Sequence, residues 1–353
     1  MRRIASPARG VEPFSRSRWR FRYSLLHFSL LASAPAIFAF GADDARAACA
    51  FAPPAGDDAY VCDSGTSVGG LNDPGGNNTL QVTGTGTIAG NVTFGAGVDA
   101  ITMDAGTIQG TVNQGAGADS FIISGGTVTG NVQQGSGIDS FTMSGGQIQS
   151  LSQGDNIDVF RMSTGHIVGF FEDGDEAYMS GGRIGRVDMK LDDNLFDMSG
   201  GQIDGNLVAG FGNDTIILSN GRIGGNISVS GGTDRVTVTG GEVGGNVLLS
   251  FGNDTFTWDG GGTIGGFVDL AAGNDTATLR GLGQAEIGAT TRIAGGTDAD
   301  RITIDDVTAS NMSRFTGWET VTVRNGSALT FDDTLTLGDA GTGTGAFTLD
   351  ASS

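Results

Sequence analysis

Between Asp99 and Asp300 one phrase recurs about eleven times, its acidic residue returning at intervals close to 20 residues. The copies begin at Asp99, Asp119, Asp139, Asp158, Asp175, Asn194, Asp214, Asp234, Asp254, Asp275 and Asp300. The interval narrows to 17 between Asp158 and Asp175 and widens to 25 between Asp275 and Asp300. A fixed short period predicts a solenoid, in which each unit buries its apolar face only against its neighbours.

Within a copy the apolar residues alternate. Two positions after the acid stand Ile101, Phe121, Phe141, Phe160, Phe196, Ile216, Val236, Phe256 and Ile302; four after it stand residues such as Met103, Met143, Met179, Met198 and Trp258. Period-two spacing over so short a run predicts a strand with one buried face. A Gly-Gly or similar turn follows, as at Gly145-Gly146 and Gly240-Gly241, and then a second short strand carrying Ile108, Val128, Ile148 and their equivalents. Glycine supplies the positive φ of a sharp corner. Units this short and glycine-rich cannot hold two helices. With 63 glycines the chain invites a disordered reading, but phased Phe, Met and Ile at constant offsets oppose it. The expectation is an all-β protein, a right-handed parallel β-helix of about eleven coils of about 20 residues. Coils stacked about 4.8 Å apart give a rod on the order of 50 Å long.

The expected organisation has four parts: residues 1–47, 48–78, 79–305 and 306–353. The first is a signal peptide: a leader with seven arginines from Arg2 to Arg22, an apolar stretch from Tyr23 to Phe40, and the small-x-small site Ala45-Arg46-Ala47. The second is an N-terminal cap. Its Cys49 and Cys62, the only cysteines, are expected to pair as a disulfide in an exported protein. The third is the repeat itself. The fourth continues it with looser spacing and ends at Ser353 without a capping element, as though cut from something longer.

Of 19 basic and 39 acidic residues the leader holds 8 and 3, leaving 11 against 36 and a net charge near −25. Such a surface repels nucleic acid and anionic lipid, so no nucleic-acid partner is expected.

The leader, the early cysteine pair, the repeated Ser-Gly-Gly-x-Ile turns and the phrase Phe315-Thr316-Gly317-Trp318-Glu319 resemble the passenger region of a bacterial autotransporter (type V secretion) over nearly all of residues 48–353. The resemblance implies export through the inner membrane of a Gram-negative bacterium. It also implies display at the cell surface or release, and a structural or adhesive role toward a host or surface ligand, carbohydrate or protein. It further implies an outer-membrane β-barrel translocator; no alternating-strand pattern of that kind lies within this sequence.

The sharpest chemical signal is Gly-x-Gly-x-Asp and its relatives, as at Gly115–Asp119, Gly210–Asp214, Gly252–Asp254 and Gly273–Asp275. These resemble half of the calcium-binding nonapeptide of RTX toxins, which makes Asp119, Asp139, Asp214, Asp254 and Asp275 candidate calcium ligands. The rival reading is that each acid caps its own turn. Carboxylates stacked about 4.8 Å apart repel by about 3 kcal/mol per pair at an effective dielectric near 20, so something must offset that.

No catalytic residue is expected. His166 is the single histidine after the leader and sits in a plain turn. A polysaccharide-acting enzyme on this scaffold would have to use the charged cluster Glu172, Asp173, Asp175, Glu176, Arg183, Arg186, Lys190, Asp192 and Asp193, where the repeat shortens.

Overall fold

The computed structural model describes residues 49–338 and 345–350, and the leader lies outside them. Nearly everything described is parallel β-structure wound into coils with three strand positions each. The first position is a run of four or five residues, from Ala59–Cys62 and Thr79–Val82 to Thr320–Arg324 and Ala346–Leu349, which in the regular copies follows the acid. In the central coils the three positions merge into continuous strands, as in Ser140–Asp155 and Val159–Glu172.

Like residues stack because the register repeats from coil to coil. At the first position Phe121, Phe141 and Phe160 are partners in adjacent strands. At the second, Ile148, Ile167, Ile184 and Ile203 follow one another. At the third, Leu207, Ile227, Val247 and Val268 do the same. All of these are buried, so each coil seals the apolar face of the next.

The solenoid makes about 14 turns rather than eleven. Extra coils lie at both ends, where the acid position is held by Asp58 and, in place of the regular aspartate, by Asn78 and Glu319. One of these belongs to the segment expected to cap the rod: its strands Ala59–Cys62 and Leu71–Asp73 stack in register on the following coil. Cys49 and Cys62 form a disulfide, tying the strand to the chain that precedes it.

Irregular coils have local causes. In the coil that follows the 17-residue one the first-position Phe is replaced by Ala177, and Phe171, at the third position of the 17-residue coil, turns toward Phe160. Its ring stacks on Phe160 with centroids 4.2 Å apart, so the core stays filled. The 25-residue coil houses the helical turn Gln284–Ile287. Its carbonyls are held by the buried guanidinium of Arg314, which donates to Ile287 and Thr290. Trp318 is buried beside it and donates from Nε1 to the Ile293 carbonyl, which is what the Phe-x-Gly-Trp phrase does structurally.

Candidate functional site

The acidic residues form a column down one corner of the rod. Asp119, Asp139, Asp214, Asp254 and Asp275 are each no more than 2% exposed, and so are their counterparts Asp99, Asp158 and Asp234. The turn before each acid is tight enough to require glycine: Gly212 has φ +144°, and a Cβ there would lie 1.8 Å from the Asp192 carbonyl oxygen. That close approach draws the following aspartate inward.

Each aspartate caps an amide of the preceding coil rather than of its own turn. The backbone N–H of Asp99 donates to Asp119 Oδ1 at 2.8 Å, Asp119 to Asp139 at 2.7 Å, and Asp234 to Asp254 at 2.8 Å. Asn78 and Glu319 occupy the same slot at the two ends, Glu319 accepting from the Asp300 amide at 2.6 Å. One residue earlier a second ladder runs in the opposite sense. Asp193 accepts from the Asn213 amide, Asn213 from Thr233, and Asn253 from Asn274.

The column breaks once. Asp175 accepts from the Asp158 amide, but Asn194 does not continue the run. Its Nδ2 donates instead to the Leu191 and Asp192 carbonyls and to Asp214 Oδ1. The break coincides with the shortened coils.

One oxygen of each carboxylate is used and the other is not. Oδ2 of Asp99, Asp119, Asp139, Asp158, Asp214, Asp234, Asp254 and Asp275 is buried and without a hydrogen-bond partner. Burial, which penalises the charged form, therefore raises these groups despite the opposing amide bond. Asp119 is pushed up to about 7 and Asp158 to about 8; Asp214, Asp234, Asp254 and Asp275 reach about 6. Neighbouring carboxylates add to the rise, as Asp254 does on Asp234. The repulsion expected from the sequence is thus relieved in part by protons. A calcium ion asks for six to eight oxygens. The column offers about one unused carboxylate oxygen per coil, and among the described residues no three His, Cys, Asp or Glu side chains converge to hold a metal.

The charged cluster around the short coil does not converge either. Glu172 pairs with Lys190 at 3.2 Å and with Arg186 at 3.9 Å, and Arg186 also reaches Asp188. Arg183 turns away to Asp204 at 2.8 Å, and Asp193 belongs to the outer ladder. His166 lies in register between Gln147 and Arg183 on the second strand position.

One polar feature escaped the sequence reading. Gln114, Gln134 and Gln153 are fully buried and form a ladder, each Nε2 bonding the previous glutamine's Oε1 or a strand carbonyl. Its signal was present as a recurrent Gln-Gly at Gln114, Gln134 and Gln153.

No family model matches the chain, and no curated protein matches it. Among solved structures, the chain is similar to that of a hyperactive, Ca2+-dependent, β-helical antifreeze protein from an Antarctic bacterium. The two share 21% identity with a TM-score of 0.53, over 70% of this chain and 84% of that one. The shared property is the fold: an all-β parallel solenoid.

Proposed function

We propose that this chain is an exported, passenger-type rod with a structural or adhesive role at the surface of a Gram-negative bacterium. The observation that carries the reading is the evenness of the coils. About 14 turns of in-register strands are joined by tight corners, and the largest excursion is the short helical segment of the 25-residue coil. An enzyme groove needs long loops on one side, and such coils supply little material for them. The leader and the strongly acidic mature chain fit export and solubility. The test is to express the full chain in a Gram-negative host, fractionate the cells and sequence the exported protein's N-terminus. Export with cleavage before Ala48 is expected; a cytoplasmic product with its leader intact counts against the reading.

A second reading is a calcium-loaded rod with antifreeze activity, the dependence and activity named for the antifreeze protein above. Two observations favour it. The row of buried Oδ2 atoms leaves one carboxylate oxygen per coil without a partner. The first strand position also carries outward threonines in register, Thr255 with Thr276 in one row and Thr257, Thr278, Thr303 and Thr322 in the next, with Arg301 interrupting the first row. Freezing hysteresis that vanishes with a chelator would support it. A melting temperature and freezing point indifferent to calcium would remove it.

A further inference from the structure

The outward column of the first strand position changes character in the shortened coils. In the coils on either side it presents β-branched residues, Ile122 and Thr142 before and Ile217, Thr237 and Thr257 after, but between them the register places Arg161, Tyr178 and Asp197. Together with Thr142, Ser163 and Ser180 these residues line a shallow groove whose floor is the buried methionine stack. The Arg161 guanidinium lies over the Tyr178 ring, 4.5 Å from its centroid. Most of the solenoid's basic side chains are tied to carboxylates: Arg183, Arg186, Lys190, Arg222, Arg280, Arg292 and Arg324 all form ion pairs. Arg161 has an aromatic ring in place of a carboxylate.

We propose that this groove binds a sugar bearing a single carboxylate, such as a terminal uronic acid on a neutral glycan. The proposal deepens the adhesive reading above by naming the ligand class. A guanidinium held over a ring face rather than by a carboxylate leaves its N–H fork available to match a carboxylate bidentately. Asp197 and the Ser163 and Ser180 hydroxyls suit the hydroxyl groups of a sugar. Charge narrows the class further. Asp197, together with Glu176, which accepts from the Tyr178 hydroxyl, disfavours a doubly charged phosphate. The acidic rod as a whole repels a polyuronate. From Thr142 to Asp197 the groove spans three coil steps, about 14 Å, which is room for a chain end rather than a long polymer.

Calorimetry on the purified chain tests this with methyl glucuronide, methyl glucoside and glucose 6-phosphate as probes. The glucuronide is expected to bind at least about tenfold more tightly than the glucoside, in keeping with one charge-assisted contact. Arg161→Gln should abolish that preference, and Tyr178→Phe, which keeps the ring, should retain it. Because Arg161 is exposed, Arg161→Gln should leave the melting temperature unchanged. Equal affinity for glucuronide and glucoside overturns the proposal, and so do tighter binding of the phosphate sugar, no glucuronide binding to the folded chain, or undiminished binding in Arg161→Gln. Since the protein is purified, failure of export leaves this result intact. Surface display without acidic-sugar binding removes the groove and spares the rod.

Discussion

Each aspartate of the column spends one carboxylate oxygen on an amide of the coil before it and buries the other unused. The folded-state pKa values of about 6 to 8 stand above the unfolded value near 4, so the folded chain holds more protons than the unfolded one between those limits. Stability is then fully present below about pH 4 and is lost as pH rises through 6 to 8. The melting temperature should fall steadily from pH 5 to pH 9, and a flat or rising profile over that range would contradict the burial argument. Asn194 shows that the slot accepts an amide and uses its extra donors. Replacing Asp214, Asp254 and Asp275 together by Asn should therefore make the pH profile shallower, with Asp119, Asp158 and Asp234 still titrating, and leave the protein at least as stable at pH 8, as followed by circular dichroism. Beside the column, Phe141 stacks between Phe121 and Phe160 with no exposure. Phe141→Ala should cost about 3–5 kcal/mol in denaturant unfolding, while Ser140→Asp, on the exposed side, should cost little.

At the scale of the coil, the corners decide what is tolerated. Gly232 has φ +152°, and a Cβ there would lie 1.8 Å from the Gly212 carbonyl oxygen, whereas the nearest atom to a Cβ on Gly231 is 3.5 Å away. Gly232→Ala should destabilise the coil strongly and Gly231→Ala hardly at all, a difference that thermal melts of the two variants will show. This contrast marks the limit of what could be read beforehand. Offsets two and four from the acid announced the stacked core, because strand alternation leaves a period-two trace in any sequence. Ala177 broke that pattern, and only the structure shows Phe171 of the preceding coil stacking on Phe160 from the third strand position. The acids were visible as a row, but the amide each one caps was not: an aspartate serving its own turn and one reaching the previous coil look alike in sequence. Asn78 and Glu319 were passed over because they hold the same slot with different residue types.

For the whole molecule, contacts run almost entirely between adjacent coils, so stability is close to a sum of nearest-neighbour terms. The first coil is tethered by the Cys49–Cys62 disulfide. Replacing both cysteines by serine should release about 3 kcal/mol of constraint at that end, seen as faster hydrogen exchange in Ala59–Cys62 and unchanged exchange in the central coils. A further consequence follows from the evenness of the turns, and it is mechanical. Every coil adds about 4.8 Å to the rod yet stores about 20 residues, whose extended length is roughly 70 Å. A rod pulled by its two termini should not stretch elastically; it should peel one coil at a time, paying out slack many times the length each coil contributed. Tethered at a cell envelope under flow, such a rod would act as a reel, yielding in equal increments instead of breaking its hold.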